Sequence, residues 1–139
     1  MRKRKYIIAI DFDGTLVTHE YPRVGKTLPY AKEVVNMLAE NGHDCFLWTM
    51  RDKNTLDDAI KYCKDNNIKI CAYNASTDQF SDSPKQYATL YIDDAALGCP
   101  LILNHDISNR PFVDWYNVAK QLAIYGLITV EQFNSLKTN

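Results

Sequence analysis

The stretch that most constrains this chain is Tyr6-Ile7-Ile8-Ala9-Ile10-Asp11-Phe12-Asp13-Gly14-Thr15. An unbroken apolar run bounded by turn residues predicts a strand buried on both faces, as inside a parallel sheet. The strand runs directly into two carboxylates one residue apart, followed by Gly and Thr. Acid beside a core is costly unless its charge is paired or binds a metal. Asp-Gly is also an ordinary turn signal. A strand buried on both faces that ends in two acids points beyond a turn, to an active site.

The rest of the chain alternates strand and helix signals. After a polar, irregular stretch from Val17 to Leu28, which could form a short hairpin flap, a helix is predicted from about Pro29. Ala31, Val34, Val35 and Leu38 form its stripe, and Asn41-Gly42 stops it. Asp44 to Trp48 reads as the second strand, ending in Thr49-Met50-Arg51. A second helix follows, capped by Asn54 or Thr55, with Asp57 and Asp58 in its first turn. Its stripe is Leu56, Ala59, Ile60 and Cys63, and Lys61 and Lys64 suit its negative end.

Ile68 to Tyr73 is a third predicted strand, and Thr89 to Ile92 a fourth, ending in Asp93-Asp94. Leu101 to Leu103 is a fifth. Phe112, Trp115, Ala119 and Leu122 stripe a further helix that stops near Gly126. Thr129-x-x-Gln132 is a capping box opening a last short helix. This order predicts an α/β fold: a doubly wound, Rossmann-like parallel sheet of about five strands, with helices on both faces. The 139 residues fit one domain spanning 1–139, and no repeat or linker divides them.

Ligands of such open sheets bind outside the carboxyl ends of the strands. Asp11 and Asp13 end the first strand, Thr49 and Arg51 the second, Asp93 and Asp94 the fourth. Parallel strands bring all of these to one edge. Four acids in one crevice repel each other unless a cation sits among them. Hard oxygen ligands suit Mg²⁺, which leaves room for water and substrate phosphate. The loop spacing of a calcium-binding EF-hand is absent. A carboxylate nucleophile with a metal, a hydroxyl and a lysine suits phosphoryl transfer.

The lysine has two candidates. Lys69 opens the third strand, at the wrong edge. Lys85 follows Ser83 and Pro84, which predict a helix start where backbone N–H groups favour anions; it is otherwise a surface lysine. Arg51 is either a substrate contact or the partner of a nearby acid.

These residues resemble the four signature motifs of the haloacid dehalogenase superfamily: Asp11-Phe12-Asp13-Gly14-Thr15, Thr49, a Lys before an acidic pair, and Asp93-Asp94. The resemblance runs from Ile7 to about Gly98. Asp13, absent at that position in the dehalogenases themselves, points to the phosphohydrolase branch. It implies Asp11 as nucleophile forming an aspartyl-phosphate, and Asp13 as the acid and base. It implies Thr49 and Lys85 on the phosphate, and Mg²⁺ held by Asp11, Asp93, Asp94 and the Asp13 carbonyl. Neither gap between motifs could hold a cap domain, and Asn109 to Trp115 looks like the tail of small bacterial capless hydrolases. An open site of that kind needs a large substrate or a neighbouring subunit, as in a homo-oligomer, to complete it.

The resemblance implies a phosphorylated small molecule, such as a nucleotide or sugar phosphate, or a phosphorylated macromolecule end as substrate. The competing readings are a phospho-acceptor receiver, whose acceptor Asp would end the third strand, and a non-catalytic module on the same fold. The third strand ends in Asn74, and neither Asp11 nor Asp13 is lost. With a net charge of -1 there is no electrostatic reason to expect nucleic acid as an obligatory partner. Met1 to Lys5 is basic, but Asp11 interrupts the apolar run too early for a signal peptide, so these residues read as a solvated strand end. No run is long enough to span a bilayer. Cys45, Cys63, Cys71 and Cys99 show no metal spacing and read as buried free thiols, which agrees with a cytoplasmic protein.

Overall fold

The computed structural model describes residues 4–136, so Met1, Arg2 and Lys3 of the basic N-terminus lie outside the described residues. The fold is α/β. Its sheet contains β1 (Ile7–Ile10), β2 (Asp44–Leu47), β3 (Ala72–Tyr73) and β4 (Leu90–Ile92), all parallel, in the order β3-β2-β1-β4. β1 is flanked on both sides, with Ile8 opposite Cys45 on β2 and Leu90 on β4. This central place explains why Ile7 to Ile10 are all buried: a strand with neighbours on both sides and cover on both faces has no wet side.

The main sheet has four strands where five were expected. The fifth expected segment forms β5 (Leu101–Ile102), which pairs antiparallel with β6 (Phe112–Val113) in a separate two-stranded sheet. Both β5 residues are exposed, so their short apolar run marks a surface ribbon and no core strand. Phe112, expected on a helix stripe, lies in β6. α3 (Trp115–Ile124) starts only after Asp114, whose carboxylate accepts from Asn117 N.

The helices do not divide between the two faces as expected. Ile8, Ile10, Cys45, Leu47 and Ile92 share one apolar cluster with the buried residues of α1 (Ala31–Glu40), α2 (Lys53–Asp65) and α3. The opposite face carries Ile7, Ala9 and Phe46, packed against Trp48, Ala72, Tyr87, Ala88 and Tyr91, with no residue of a described helix. The connection from β3 to β4 is an irregular segment that lays Tyr87 and Ala88 on this face. The helix expected at Ser83 does not form; residues 81–85 are exposed and irregular.

Smaller departures have local causes. α1 begins at Ala31 and not Pro29, since Tyr30 sits in the left-handed region at φ 68°. Its stripe of Ala31, Val34, Val35 and Leu38 is buried as expected. α2 is capped by Asp52, earlier than Asn54 or Thr55; Thr55 Oγ1 accepts from the Asp52 N–H. Leu56 and Ile60 are only partly buried, leaving Ala59 and Cys63 as its core residues. The third strand shrinks from Ile68–Tyr73 to its last two residues.

α4 (Val130–Ser135) opens with the expected box, Gln132 N donating to Thr129 Oγ1 and Thr129 N to Gln132 Oε1. All four cysteines are free; Cys45 and Cys63 are buried, but Cys71 is exposed and Cys99 intermediate. Lys5 pairs with Asp44 at 2.9 Å, and Arg4 stacks on Tyr6. Among the described residues no helix is long and apolar enough to cross a membrane.

Candidate active site

The carboxyl ends of the parallel strands open into a cleft of about 570 Å³. It is lined by Asp11, Asp13, His19, Tyr21, Thr49, Met50, Arg51, Asp93, Asp94, Ala95 and Arg110. Six of the seven expected site residues therefore share one cavity. Lys85 does not. It is exposed in the irregular segment, and its ammonium lies over the Tyr91 ring on the helix-free face of the sheet. No lysine lines the cleft among the described residues.

Asp11 follows the last residue of β1, and its N–H donates to Ile92 O, tying it to the end of β4. Carboxylate oxygens of Asp11, Asp93 and Asp94 lie within 4.8 Å of one another. Burial pushes the Asp11 carboxyl up to about 8, and the charges of Asp93 and Asp94 add to the push. Asp93 is raised too, first by burial. Thr15 clips the group together: its Oγ1 donates to Asp11 Oδ2 at 2.9 Å and accepts from Asp94 N at 3.1 Å. Trp115 Nε1 in turn holds Thr15 O at 2.6 Å.

Gly14 is required twice at this turn. Its φ is 80°, and a Cβ there would meet Asp94 Oδ2 at 2.3 Å. Gly14→Ala is expected to cost about 1–3 kcal/mol from the backbone alone. It should also drive the Asp94 carboxylate away from Asp11. A urea midpoint unchanged from the parent would show that the turn needs no glycine.

Asp13 stands apart from the acid trio. Its Oδ2 accepts from Arg51 Nε and its Oδ1 from Arg51 Nη2, both at 2.7 Å. Arg51 is 1% exposed and uses every N–H it has. Nη1 donates to Pro22 O and Thr55 O at 3.1 Å, and Nη2 also donates to Arg23 O at 2.8 Å. The guanidinium carbon lies 5.1 Å from the ring centroids of both Phe12 and Tyr21. Of the two sequence readings for Arg51, the structure takes the acid's partner. The 17–28 loop is anchored through it, and through a bridge between Val17 and Thr27.

Thr49 follows β2, and its hydroxyl accepts from Arg51 N. Asn74, at the end of β3, accepts from Thr49 N at 2.8 Å and donates to Arg51 O at 3.3 Å, setting the turn that carries both residues. Sequence reading passed over Asn74 in looking there only for an acid. It also missed Arg110 and His19, which reach the cleft from loops with no strand-end signal. A second cleft of about 250 Å³, between β4 and α3 around Cys99 and Leu122, is lined by no carboxylate, histidine, lysine or arginine among the described residues.

A solved structure of a conserved protein from Bacteroides thetaiotaomicron aligns with 93% of this chain and 97% of its own. The sequence identity is 30% and the TM-score 0.69. The chain belongs to the family of that conserved protein. No protein-family model and no curated protein matches it. The kinship carries the fold; the chemistry rests on the residues themselves.

Proposed function

We propose that the chain is a Mg²⁺-dependent phosphohydrolase of the capless haloacid dehalogenase type, acting on a phosphomonoester through an aspartyl-phosphate at Asp11. The observation that carries this reading is the trio of Asp11, Asp93 and Asp94 at the adjacent ends of β1 and β4, with Asp13 and Thr49 in the same cleft. The trio fits a divalent cation: it is a set of hard oxygen donors whose buried member is driven towards protonation unless positive charge arrives. Asp11, Asp93 and Asp94 would hold Mg²⁺, which would supply charge neutralisation for these acids and for the phosphoryl oxygens.

Asp11 attacks phosphorus, and the P–O bond to the leaving oxygen breaks as that oxygen takes a proton from Asp13. Asp13 then takes a proton from water, which attacks the aspartyl-phosphate and releases inorganic phosphate. Thr15 fixes the rotation of the Asp11 carboxylate through its bond to Oδ2. Arg51 does the same for Asp13. Each Asp13 oxygen keeps a further lone pair for the transferred proton. The Thr49 hydroxyl, which accepts from Arg51 N, would donate to a phosphate oxygen. Among the described residues no lysine lines the cleft to support the phosphate. A receiver domain gains no support, since the Asn74 side chain is occupied by Thr49 and Arg51.

Nitrophenyl phosphate turnover should be lost in EDTA and restored by Mg²⁺, while Ca²⁺, which takes more ligands at longer range, should restore little. Full turnover in chelator would remove the cation from the reading. No turnover of any phosphomonoester with Mg²⁺ would remove the reading itself.

A further inference from the structure

Beside the acid cleft lies a second cavity of about 490 Å³, whose lining includes His19, Glu20, Arg23, His105, Ser108 and Arg110. His19, Tyr21 and Arg110 belong to both, so the two cavities adjoin. The character of the wall changes between them. The first compartment is dominated by acids, and its buried arginine is fully committed to Asp13 and backbone carbonyls. The annex has two arginines, two histidines, a serine and an asparagine. Its only acid, Glu20, already accepts from Thr18 Oγ1 at 3.0 Å and lies 3.5 Å from Arg23.

The backbones under the two arginines are fixed while their head groups are not consumed. Arg23 O accepts from buried Arg51, and Arg110 N donates to Ser108 Oγ at 3.2 Å. The Arg110 guanidinium has no hydrogen bond or ion pair among the described residues, and Arg23 has only its long contact to Glu20. Guanidinium groups keep their charge at any working pH and match phosphate oxygens in a fork. The two come from separate loops, at 17–28 and 103–111, and both line the annex.

We propose that this annex binds a second anionic group, carried on the leaving group of the substrate, so that the preferred substrate class is a bisphosphate and not a simple monophosphate. This rests on the phosphohydrolase reading for which end of the molecule reacts. The annex then supplies the positive charge that the missing lysine does not. It also places the leaving oxygen between the compartments, near Asp13.

The test is calorimetric titration of the Asp11→Asn protein in Mg²⁺ with alkanediol bisphosphates of graded chain length and the matching alkyl monophosphates. At least one bisphosphate should bind roughly a hundredfold more tightly than its monophosphate, as expected for two charge-assisted contacts. Adding Arg23→Gln and Arg110→Gln together should erase the difference. Both side chains are exposed, and the Arg23 carbonyl that serves Arg51 survives substitution, so the fold is kept. Equal affinity at every chain length, or a preference that outlives both substitutions, overturns the proposal. Turnover by the unsubstituted chain is read separately. Hydrolysis without bisphosphate preference keeps the phosphohydrolase and discards the annex. Bisphosphate preference in binding with no hydrolysis keeps the annex and discards the phosphohydrolase.

Discussion

Asp11→Asn is expected to abolish turnover, by roughly 10⁴-fold or more, while leaving the fold intact. The amide has the carboxylate's shape but no nucleophilic oxygen anion, so no aspartyl-phosphate forms. The same substitution should raise thermal stability in chelator at neutral pH. Burial and the neighbouring acids hold Asp11 near 8 in the folded chain, against an ordinary value of 3.8. A carboxyl raised on folding binds more protons in the native state than in the unfolded one. Its contribution to stability is therefore progressively lost as pH rises from about 4 to about 8. Asn escapes that loss, so its advantage should appear in melts near pH 7 and shrink near pH 4. Mg²⁺ should raise the melting temperature of the parent and do less for the variant. An active Asp11→Asn protein would place the nucleophile elsewhere.

Asp13 should separate the two halves of the reaction. Alanine is the wrong probe here, because it strands a buried guanidinium, and breaking such a pair from one side costs about 3–5 kcal/mol. Asp13→Asn keeps an oxygen acceptor for Arg51 and removes the proton chemistry. Nitrophenol leaves without help, so the variant should still phosphorylate Asp11. Water activation is the same whatever the substrate, so the intermediate should then persist. The expected trace is a burst of about one nitrophenol per active site followed by a slow phase. That slow phase should run roughly a hundred- to ten-thousand-fold below the parent rate, with a phosphoenzyme that can be trapped. Alkyl phosphates, whose alkoxides leave badly, should show no burst. Parent-like turnover of both substrates would reduce Asp13 to an anchor for Arg51.

What the sequence revealed of this site came from local pattern. The apolar run into Asp11 and the acids after Ile92 report strand ends, and parallel pairing brings strand ends together. The Arg51 arrangement has no such pattern. Its partners are Asp13 from the turn after β1, two carbonyls of the 17–28 loop and one from α2, and a carbonyl acceptor leaves no mark in a sequence. Lys85 failed for a different reason. Ser83-Pro84 is a fair local signal for a helix start, but the segment is spent on covering Ile7, Ala9 and Phe46, and tertiary cover overrides a cap. β5 failed because three apolar residues in a row fit an exposed ribbon as well as a core strand. Arg110 sits on the loop before β6, a strand whose single residue pair of Phe112 and Val113 periodicity cannot resolve.

The central position of β1 has a consequence for the order in which the molecule assembles. Contacts between β1 and β2 join residues such as Ile7 and Asp44, 37 positions apart, whereas those between β1 and β4 join residues such as Ile8 and Leu90, 82 apart. Each doubling of loop length adds only about 0.6 kcal/mol of closure entropy, so length alone separates the two steps little. During synthesis, however, β1 and β2 are made before Asp93 and Asp94. Until β4 is in place, Asp11 lacks the two acids that press on it in the folded chain. Its repulsion from the other acids begins only when β4 docks. A divalent cation that relieves this repulsion would be expected to favour the docking of β4 and to leave the pairing of the first two strands untouched.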